Sequence, residues 1–147
     1  RQGRGPAPVV MTPQEMSALH VAAFAPDRGW SASEFADLSA SPYVTCYAVP
    51  NGFALVRSIA GEAELLTLAV APQHRRQGIG YKLLEKWLQA EHAERVFLEV
   101  ASDNPAAMAL YEKSGFAVIG LRKAYYARTG RPDADAVLMQ RTMTHRK

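Results

Sequence analysis

The segment TLAVAPQHRRQGIGYKLLEKWLQ, residues 67–89, joins a strand-like run to a helix-like run through a turn that holds two arginines and two glycines. The apolar run before Pro72 has the composition of a buried strand. After the turn, apolar residues recur at the spacing of one helix face: Ile79, Leu83, Leu84, Trp87 and Leu88. A strand that passes through glycines into an amphipathic helix indicates an α/β protein.

The spacing of the glycines excludes two nucleotide-binding motifs. A P-loop requires GxxxxGK followed by Ser or Thr, and no segment of the chain fits it. A dinucleotide fingerprint requires glycine or alanine at the sixth place of GxGxxG, where Leu83 stands here. What remains is a run of backbone N–H groups from Gln77 to Tyr81 at a helix N-terminus, which attracts a diphosphate. A tight turn with solvated arginines is the alternative that this turn alone leaves open.

The pattern of apolar runs and breaks predicts the elements around this segment. Before it, we expect a short strand at VVMT, a helix from Pro13 that stops before Pro26, and a short helix capped by Ser31 or Ser33. Three strands of a hairpin meander follow, YVTCYAV, GFALVRSI and EAELLTLAV, with breaks at Asn51-Gly52 and Ala60-Gly61.

A strand, a helix and two strands are predicted after the segment. RVFLEV has the composition of a buried strand, Asn104-Pro105 starts a helix, and Gly115 stops it. The runs FAVIGLRKAYY and AVLMQRTM then close the chain as strands. A meander that leads into strand, helix, strand predicts a mixed sheet with helices on both faces.

Length and composition predict one domain. The chain has 147 residues, of which 48% are hydrophobic, enough for one core and too few for two ordinary domains. RQGRGPAP has no apolar period, so we expect residues 1–8 to be a loose tail or a cloning remnant and residues 9–147 to form the domain. No apolar run is long enough to cross a bilayer and no leader pattern opens the sequence, so we expect a cytoplasmic protein without a membrane partner.

The net charge of +3 comes from the two ends of the sequence. Residues 1–10 hold two basic groups, and residues 121–147 hold seven basic and two acidic groups, whereas the part between holds 8 basic and 12 acidic groups. A nucleic-acid domain more often carries a basic stripe across its body, so we expect no nucleic-acid partner. Cys46 is the sole cysteine, and the four histidines lack ligand spacing, so we expect no metal site and a small buried residue at Cys46.

Two further stretches extend the pattern of the glycine turn: LEVASDNPAAMALYEKSGF at residues 98–116 and RKAYYARTGRPDADAVLM at residues 122–139. Together with Arg75-x-x-Gly78-x-Gly80, they resemble the GNAT superfamily of N-acetyltransferases. Within the superfamily they resemble the RimI type, which acetylates the N-terminal alanine of ribosomal proteins.

The resemblance covers the chain residue by residue from about Leu65 to Met139, and in element order from about Val9. It implies an α/β fold with a mixed, mostly antiparallel sheet of about seven strands, splayed at the acetyl-CoA site and flanked by about four helices. It also implies that the turn holds the pyrophosphate of acetyl-CoA and that the pantetheine arm runs along a strand edge. The implied cofactor-binding residues are Leu68, Ala69, Val70, Arg75, Arg76, Gln77, Gly78, Ile79, Gly80, Tyr81 and Asn104.

Acetyl transfer to an amine needs a base for the amine and a proton for the departing thiolate. The pKa of an α-amino group lies near 7.7 to 8.0, so modest base assistance is enough. The resemblance makes Glu99, inside the apolar run VFLEV, the general base, acting directly or through water. It makes Tyr111, 12 residues later on the next helix, the general acid. The residues alone leave two alternatives open: Glu99 is a strand residue that faces solvent, and Tyr111 is a tyrosine of the core.

We therefore expect an acetyl-CoA-dependent N-acetyltransferase that modifies a protein N-terminal α-amine by direct attack in a ternary complex, with a ribosomal protein as a candidate acceptor. Acetylation of a small amine or a lysine side chain is one alternative, and a non-catalytic CoA-binding module is another. Three departures leave the acceptor slot open: Ala101 replaces a common arginine, Asp103 is an added aspartate, and Ala127 stands where proline often follows the tyrosine pair. The oligomeric state is also open.

Overall fold

The computed structural model describes residues 9–144, which form four α-helices and six strands. The predicted tail at residues 1–8 lies outside the described residues. In chain order the elements are α1 (Pro13–Phe24), α2 (Ala32–Ser39), β1 (Val44–Val49), β2 (Gly52–Ile59), β3 (Glu62–Val70), α3 (Ile79–Ala90), β4 (Arg95–Ala101), α4 (Pro105–Lys113), β5 (Ala117–Tyr126) and β6 (Ala134–Thr142). A single 3₁₀ turn, Pro72–His74, precedes α3.

The prediction of a strand at VVMT is wrong: its last residue, Thr12, is the N-cap of α1, which begins at Pro13 as predicted. The Thr12 side chain accepts a hydrogen bond from the Glu15 N–H, and the Glu15 carboxylate accepts one from the Thr12 N–H, which is a capping box. Val9 and Val10 are 38% and 78% exposed, and residues 9–12 form no strand. The sheet in the described residues therefore has six strands where about seven were expected. Ser31, one of the two predicted caps, begins α2.

The strands form one sheet in the order β1-β2-β3-β4-β6-β5. The first three are antiparallel neighbours, as the predicted meander requires. Their turns use left-handed backbone at Asn51, Ala60 and Gly61, with φ of 71°, 52° and 85°. The predicted mixed and mostly antiparallel sheet is confirmed, because β3 and β4 are parallel and the other neighbouring pairs are antiparallel.

β3 and β4 separate after a short stretch of pairing. Their ladder joins Glu62–Glu64 of β3 to Arg95–Phe97 of β4 and goes no further. Within the described residues, the edge of β3 from Leu65 to Val70 therefore has no ladder partner on the β4 side, although β2 pairs with its other edge. This divergence confirms the predicted splay, and the backbone groups along it are open to a ligand.

Helices cover both faces of the sheet, as predicted. α1 and α2 pack on one face in a core that includes Met16, Phe35, Phe53 and Leu55. α3 and α4 pack on the other face in a larger core that includes Leu83, Leu84, Trp87, Val96, Leu98 and Met139. Alternating side chains of β4 divide the two faces, since Val96, Leu98 and Val100 enter the α3–α4 core.

Cys46 lies in a strand, as expected, but it is exposed and not buried. Its strand, β1, is the edge of the sheet and pairs on one side alone, so a residue between core positions reaches solvent there. Across residues 9–144, no helix has the length and apolar character needed to span a membrane.

Candidate active site

The glycine turn leaves the start of α3 open. Arg76 and Gly78 have left-handed backbone, with φ of 65° and 78°, which turns the chain sharply into Ile79. No side chain caps α3, whereas Thr12, Ser31 and Asn104 cap the other three described helices. The first amides of α3 have no acceptor within the helix, so they carry partial positive charge toward whatever binds there.

The two positions of the turn require glycine for different structural reasons. An added Cβ at Gly78 would meet no heavy atom within 4 Å, so this position requires glycine for its positive φ. An added Cβ at Gly80 would lie 3.0 Å from Leu110 Cδ2 and 3.9 Å from Leu68 Cδ2. Gly80 therefore lets α3 approach α4 and the end of β3 closely, which places the α3 amides beside the splay.

The polar side chains around the turn make different contacts and do not converge on a single site. The Arg75 guanidinium donates a 2.6 Å hydrogen bond to the Ala23 carbonyl oxygen at the end of α1. The Tyr81 ring lies 5.2 Å from Lys113 Nζ and lines a groove between α3 and α4. Arg76 and Gln77 are exposed at the turn itself. Tyr81 therefore contributes its backbone amide to the turn, while Arg75 also ties the turn to α1.

The predicted cofactor strand runs along the splay. Leu68 and Val70 pack against the α3–α4 core, and Ala69, which is 2% exposed, enters the α1–α2 core. Their main-chain groups alternate between the β2 edge and the open edge. Asn104, also predicted to contact the cofactor, accepts a 3.2 Å hydrogen bond from the Ala107 N–H, so its role as a helix cap is visible.

Glu99 lies on β4 beyond the point where β3 and β4 separate. It is opposite Leu138 of β6, and its side chain is 23% exposed. A groove of about 370 Å³ on this face of the sheet is lined by Glu99, Phe97, Leu138 and Arg122 among others. Arg122 forms a long ion pair with the Glu99 carboxylate, 3.7 Å between Nη2 and Oε2. Glu99 therefore lies neither fully in solvent nor in the core, and its carboxylate lines this groove.

Tyr111 lies on the other side of the sheet, in α4. It is 7% exposed, and its ring packs edge-on against Phe116 at 6.3 Å between centroids. Burial raises the pKa of its phenol, and the neighbouring Tyr126 adds to that rise. No group among residues 9–144 hydrogen-bonds its hydroxyl. The hydroxyl thus stays protonated and is available to donate to a ligand.

Tyr126 is a site residue that the sequence analysis did not assign. It ends β5 and is partly buried, and burial together with the nearby Glu99 carboxylate raises its pKa to about 12. Tyr126 interacts electrostatically with Glu99 and with Tyr111, so it is a candidate site residue that connects the two. The sequence did contain a clue, the Tyr125-Tyr126 pair, but the strand pattern does not show which tyrosine turns inward.

Within residues 9–144, no group of three or more His, Cys, Asp or Glu side chains is arranged to hold a metal ion. The groups placed here are those of acid, base and anion-binding chemistry: a carboxylate, a protonated phenol and a row of amides. The open edge of β3 lies close to the start of α3, where a Cβ at Gly80 would be 3.9 Å from Leu68 Cδ2. This set suits transfer of an acyl group from an anionic carrier to an amine.

Residues 15–116 match the acetyltransferase (GNAT) family. The ribosomal protein bS18 alanine N-acetyltransferase of Escherichia coli strain K12 is 36% identical over 126 residues, which cover 80% of this chain and 85% of that protein. N-alpha-acetyltransferase RimI of Mycobacterium tuberculosis is 35% identical over 137 residues, which cover 87% of this chain and 85% of that protein. The crystal structure of the ribosomal-protein-S18-alanine N-acetyltransferase from Escherichia coli has a TM-score of 0.76 at 29% identity, with coverage of 89% and 88%.

Proposed function

Because the chain belongs to the acetyltransferase (GNAT) family and is an N-acetyltransferase, we propose that it acetylates the N-terminal α-amine of a protein, with acetyl-CoA as the donor. Relatives at 35% and 36% identity carry names that specify an N-terminal or alanine acceptor, and they support this choice of amine. A ribosomal protein whose chain begins with alanine is the first acceptor to consider. Residues 9–147 act as one acetyltransferase domain in this proposal.

The residues of the chain divide the reaction among them. The open amides at the start of α3 bind the diphosphate of acetyl-CoA, and Arg76 adds charge at the rim. The unpaired edge of β3 at Leu68–Val70 binds the pantetheine arm through backbone hydrogen bonds, as an added strand would. These two features fit an extended thiol carrier with a diphosphate at one end, and they aim its reactive end into the splay.

Glu99 and Tyr111, on opposite sides of the splay, carry out the proton transfers. Glu99 removes a proton from the acceptor ammonium group, directly or through water, and the neutral nitrogen attacks the thioester carbonyl. The new C–N bond forms and the C–S bond breaks. Tyr111 donates its proton to the departing sulfur and takes back the second proton that the nitrogen releases as the amide forms. Glu99 returns its proton to solvent, so one proton is released for each acetyl group transferred. An amide of the β3 edge near Val70 binds the oxyanion in this proposal.

One observation carries the proposal: Glu99, a partly buried carboxylate on β4 past the end of its ladder with β3, and Tyr111, a buried phenol in α4, both interact with Tyr126, and β3 has an unpaired edge on the β4 side. An interaction module that had lost turnover would have no use for a proton acceptor and a proton donor on both sides of the opening. The proposed reaction uses acetyl-CoA and newly made protein chains, both cytoplasmic, and this supports the cytoplasmic localisation expected above.

A peptide panel tests the choice of amine. Release of free CoA thiol is measured with acetyl-CoA and peptides that begin with alanine, either with a free or with a blocked N-terminus. Lysine-rich blocked peptides and polyamines serve as the competing acceptors. We expect thiol release only with free N-termini, and mass spectrometry should place the added 42 Da on the first residue, since acetyl replaces one proton there. Equal rates on free and blocked peptides would rule out the α-amine.

A further inference from the structure

Three loops meet at one end of the sheet through four charged side chains. Asp27 belongs to the loop between α1 and α2, Asp103 to the loop between β4 and α4, and Arg128 and Arg131 to the loop between β5 and β6. Arg128 donates two hydrogen bonds to Asp103, from Nε at 2.9 Å and from Nη2 at 3.1 Å. Arg131 Nη2 lies 2.9 Å from Asp27 Oδ2, and Arg128 lies 3.7 Å from the same oxygen. We call these four residues the loop cluster.

The loop cluster differs from the ion pairs elsewhere on the surface. The Arg128 and Asp27 side chains are 12% and 15% exposed, whereas the Arg95–Glu62 pair is 53% and 52% exposed. Shielding from water and the two-point contact with Asp103 both strengthen a charge pair. The Asp27 carboxylate also accepts a hydrogen bond from the Thr129 N–H at 3.3 Å. The cluster therefore fixes backbone as well as side chains.

Arg128 connects the loop cluster to the candidate active site. Its guanidinium lies 5.3 Å from the centre of the Tyr126 ring, and Tyr126 interacts with the Glu99 carboxylate. Because Asp103 holds the guanidinium from one side, the aromatic ring is confined on the other. The position of Tyr126 beside Glu99 thus depends on an aspartate in a different loop.

The loop cluster lies on the acceptor side of the sheet. Phe97 and Glu99 point to the face that carries α1 and α2, since their neighbours in β4 enter the α3–α4 core. Asp27 follows α1 on that same face, and the end of α1 is tied to the glycine turn through the Arg75 bond to Ala23. The segment from Ala23 to Asp27 is therefore fastened at the glycine turn at one end and at the β5–β6 loop at the other.

We propose that the loop cluster positions the acceptor: it holds the β5–β6 loop and Tyr126 as a rim beside Glu99, past which the first residues of the acceptor reach the thioester. This inference rests on the proposed function and adds four positioning residues to it. Asp103 is the member to test first, since Arg128 donates two hydrogen bonds to it. The cluster contacts no reacting atom, so its loss affects how the acceptor is held and leaves the acetyl-CoA site intact.

The test replaces Asp103 by asparagine, which keeps the size of the side chain and removes the charge. With an alanine-initiated peptide at saturating acetyl-CoA, we expect Asp103→Asn to raise the acceptor KM about tenfold and to leave the dissociation constant of acetyl-CoA, measured by calorimetry, within about twofold. Arg128→Gln should also raise the acceptor KM, and the double variant should lose less than the two single variants added together, because both remove the contact between Arg128 and Asp103. Arg95→Gln, which breaks an exposed pair at the far end of β3 and β4, is the matched control and should keep wild-type kinetics.

Amide hydrogen exchange separates failure of this inference from failure of the proposed function. In Asp103→Asn we expect faster exchange in residues 124–133 and in the α1–α2 loop, and unchanged exchange in α3. If the wild-type chain acetylates no peptide N-terminus, the proposed function fails. The exchange data alone then test whether the loop cluster holds the β5–β6 loop. Wild-type acceptor KM in Asp103→Asn, or an equal loss of acceptor and acetyl-CoA binding together with a lower Tm, would overturn it.

Discussion

The surroundings of Tyr111 decide what its hydroxyl can do. The ring lies in the α3–α4 core, and burial raises the pKa of the phenol above its ordinary value, so the phenol keeps its proton near pH 8, where an α-amine becomes neutral. Glu99, on the other side of the splay, is partly exposed to the groove, so its carboxylate is open to water. The two side chains are therefore suited to opposite proton transfers.

Tyr111→Phe tests the role of that hydroxyl, because it removes one oxygen and keeps the ring packed against Phe116. We expect kcat to fall about 100-fold, the lower range of general acid catalysis, while the dissociation constant of acetyl-CoA changes by less than about twofold. Thiol release at saturating substrates gives kcat, and calorimetry gives the affinity. Tyr43→Phe, at an exposed tyrosine before β1, is the control and should match the wild type. A wild-type kcat for Tyr111→Phe would remove Tyr111 from proton transfer.

At the scale of elements, the start of α3 shows how far the sequence pattern reaches. The strand before the turn, the two glycines and the apolar stripe of Leu83, Leu84 and Trp87 were all predicted and lie where expected. The pattern is local, so neighbouring residues carry all of it. What the pattern does not contain is the Arg75 bond to Ala23, which joins residues 52 positions apart.

Gly78→Ala tests whether the left-handed backbone at the start of α3 serves ligand binding. The added Cβ meets no neighbour, so its cost is the backbone strain of φ 78°, about 1 kcal/mol of unfolding free energy. Gly61→Ala is the matched control, because Gly61 has φ 85° and equally open surroundings in a hairpin turn. Chemical denaturation should show a similar loss of unfolding free energy in both variants. Calorimetry should show about tenfold weaker acetyl-CoA binding for Gly78→Ala alone. Equal affinities in the two variants would contradict an anion site at this turn.

At the scale of the whole molecule, turn chemistry and periodicity predicted the sheet and the four helices, and long-range contacts account for what was missed. The strand at VVMT failed because Thr12 uses its extended backbone to cap α1, which periodicity does not reveal. The resemblance assigned Glu99 and Tyr111 because each stands in a recognisable local pattern, and their catalytic roles stay predictions. The loop cluster was missed because its partners are 25 to 104 residues apart along the chain.

His20 also escaped the sequence analysis, because nothing local shows that it joins distant parts of the fold. It is 1% exposed, stacked on Phe24, and bonded on both ring nitrogens. Nδ1 accepts from the Trp30 N–H at 3.0 Å, so the proton resides on Nε2 and is donated to Thr67 Oγ1 at 2.9 Å. The neutral ring thus links α1, the α1–α2 loop and β3, directly before the Leu68–Val70 edge.

Acid should therefore destabilise the whole molecule through His20. Burial, reinforced by Arg28, lowers its pKa from 6.5 to about 4 in the folded state, so the unfolded chain takes up the proton first as the pH falls. The neutral ring contributes about 3 kcal/mol to the free energy of unfolding. This contribution is complete above pH 6.5 and is lost as the pH falls to about 4. Urea unfolding across this range should show that slope in the wild type and in His92→Gln, an exposed control, and a much smaller slope in His20→Gln. An undiminished slope in His20→Gln would mean that other groups cause the acid sensitivity.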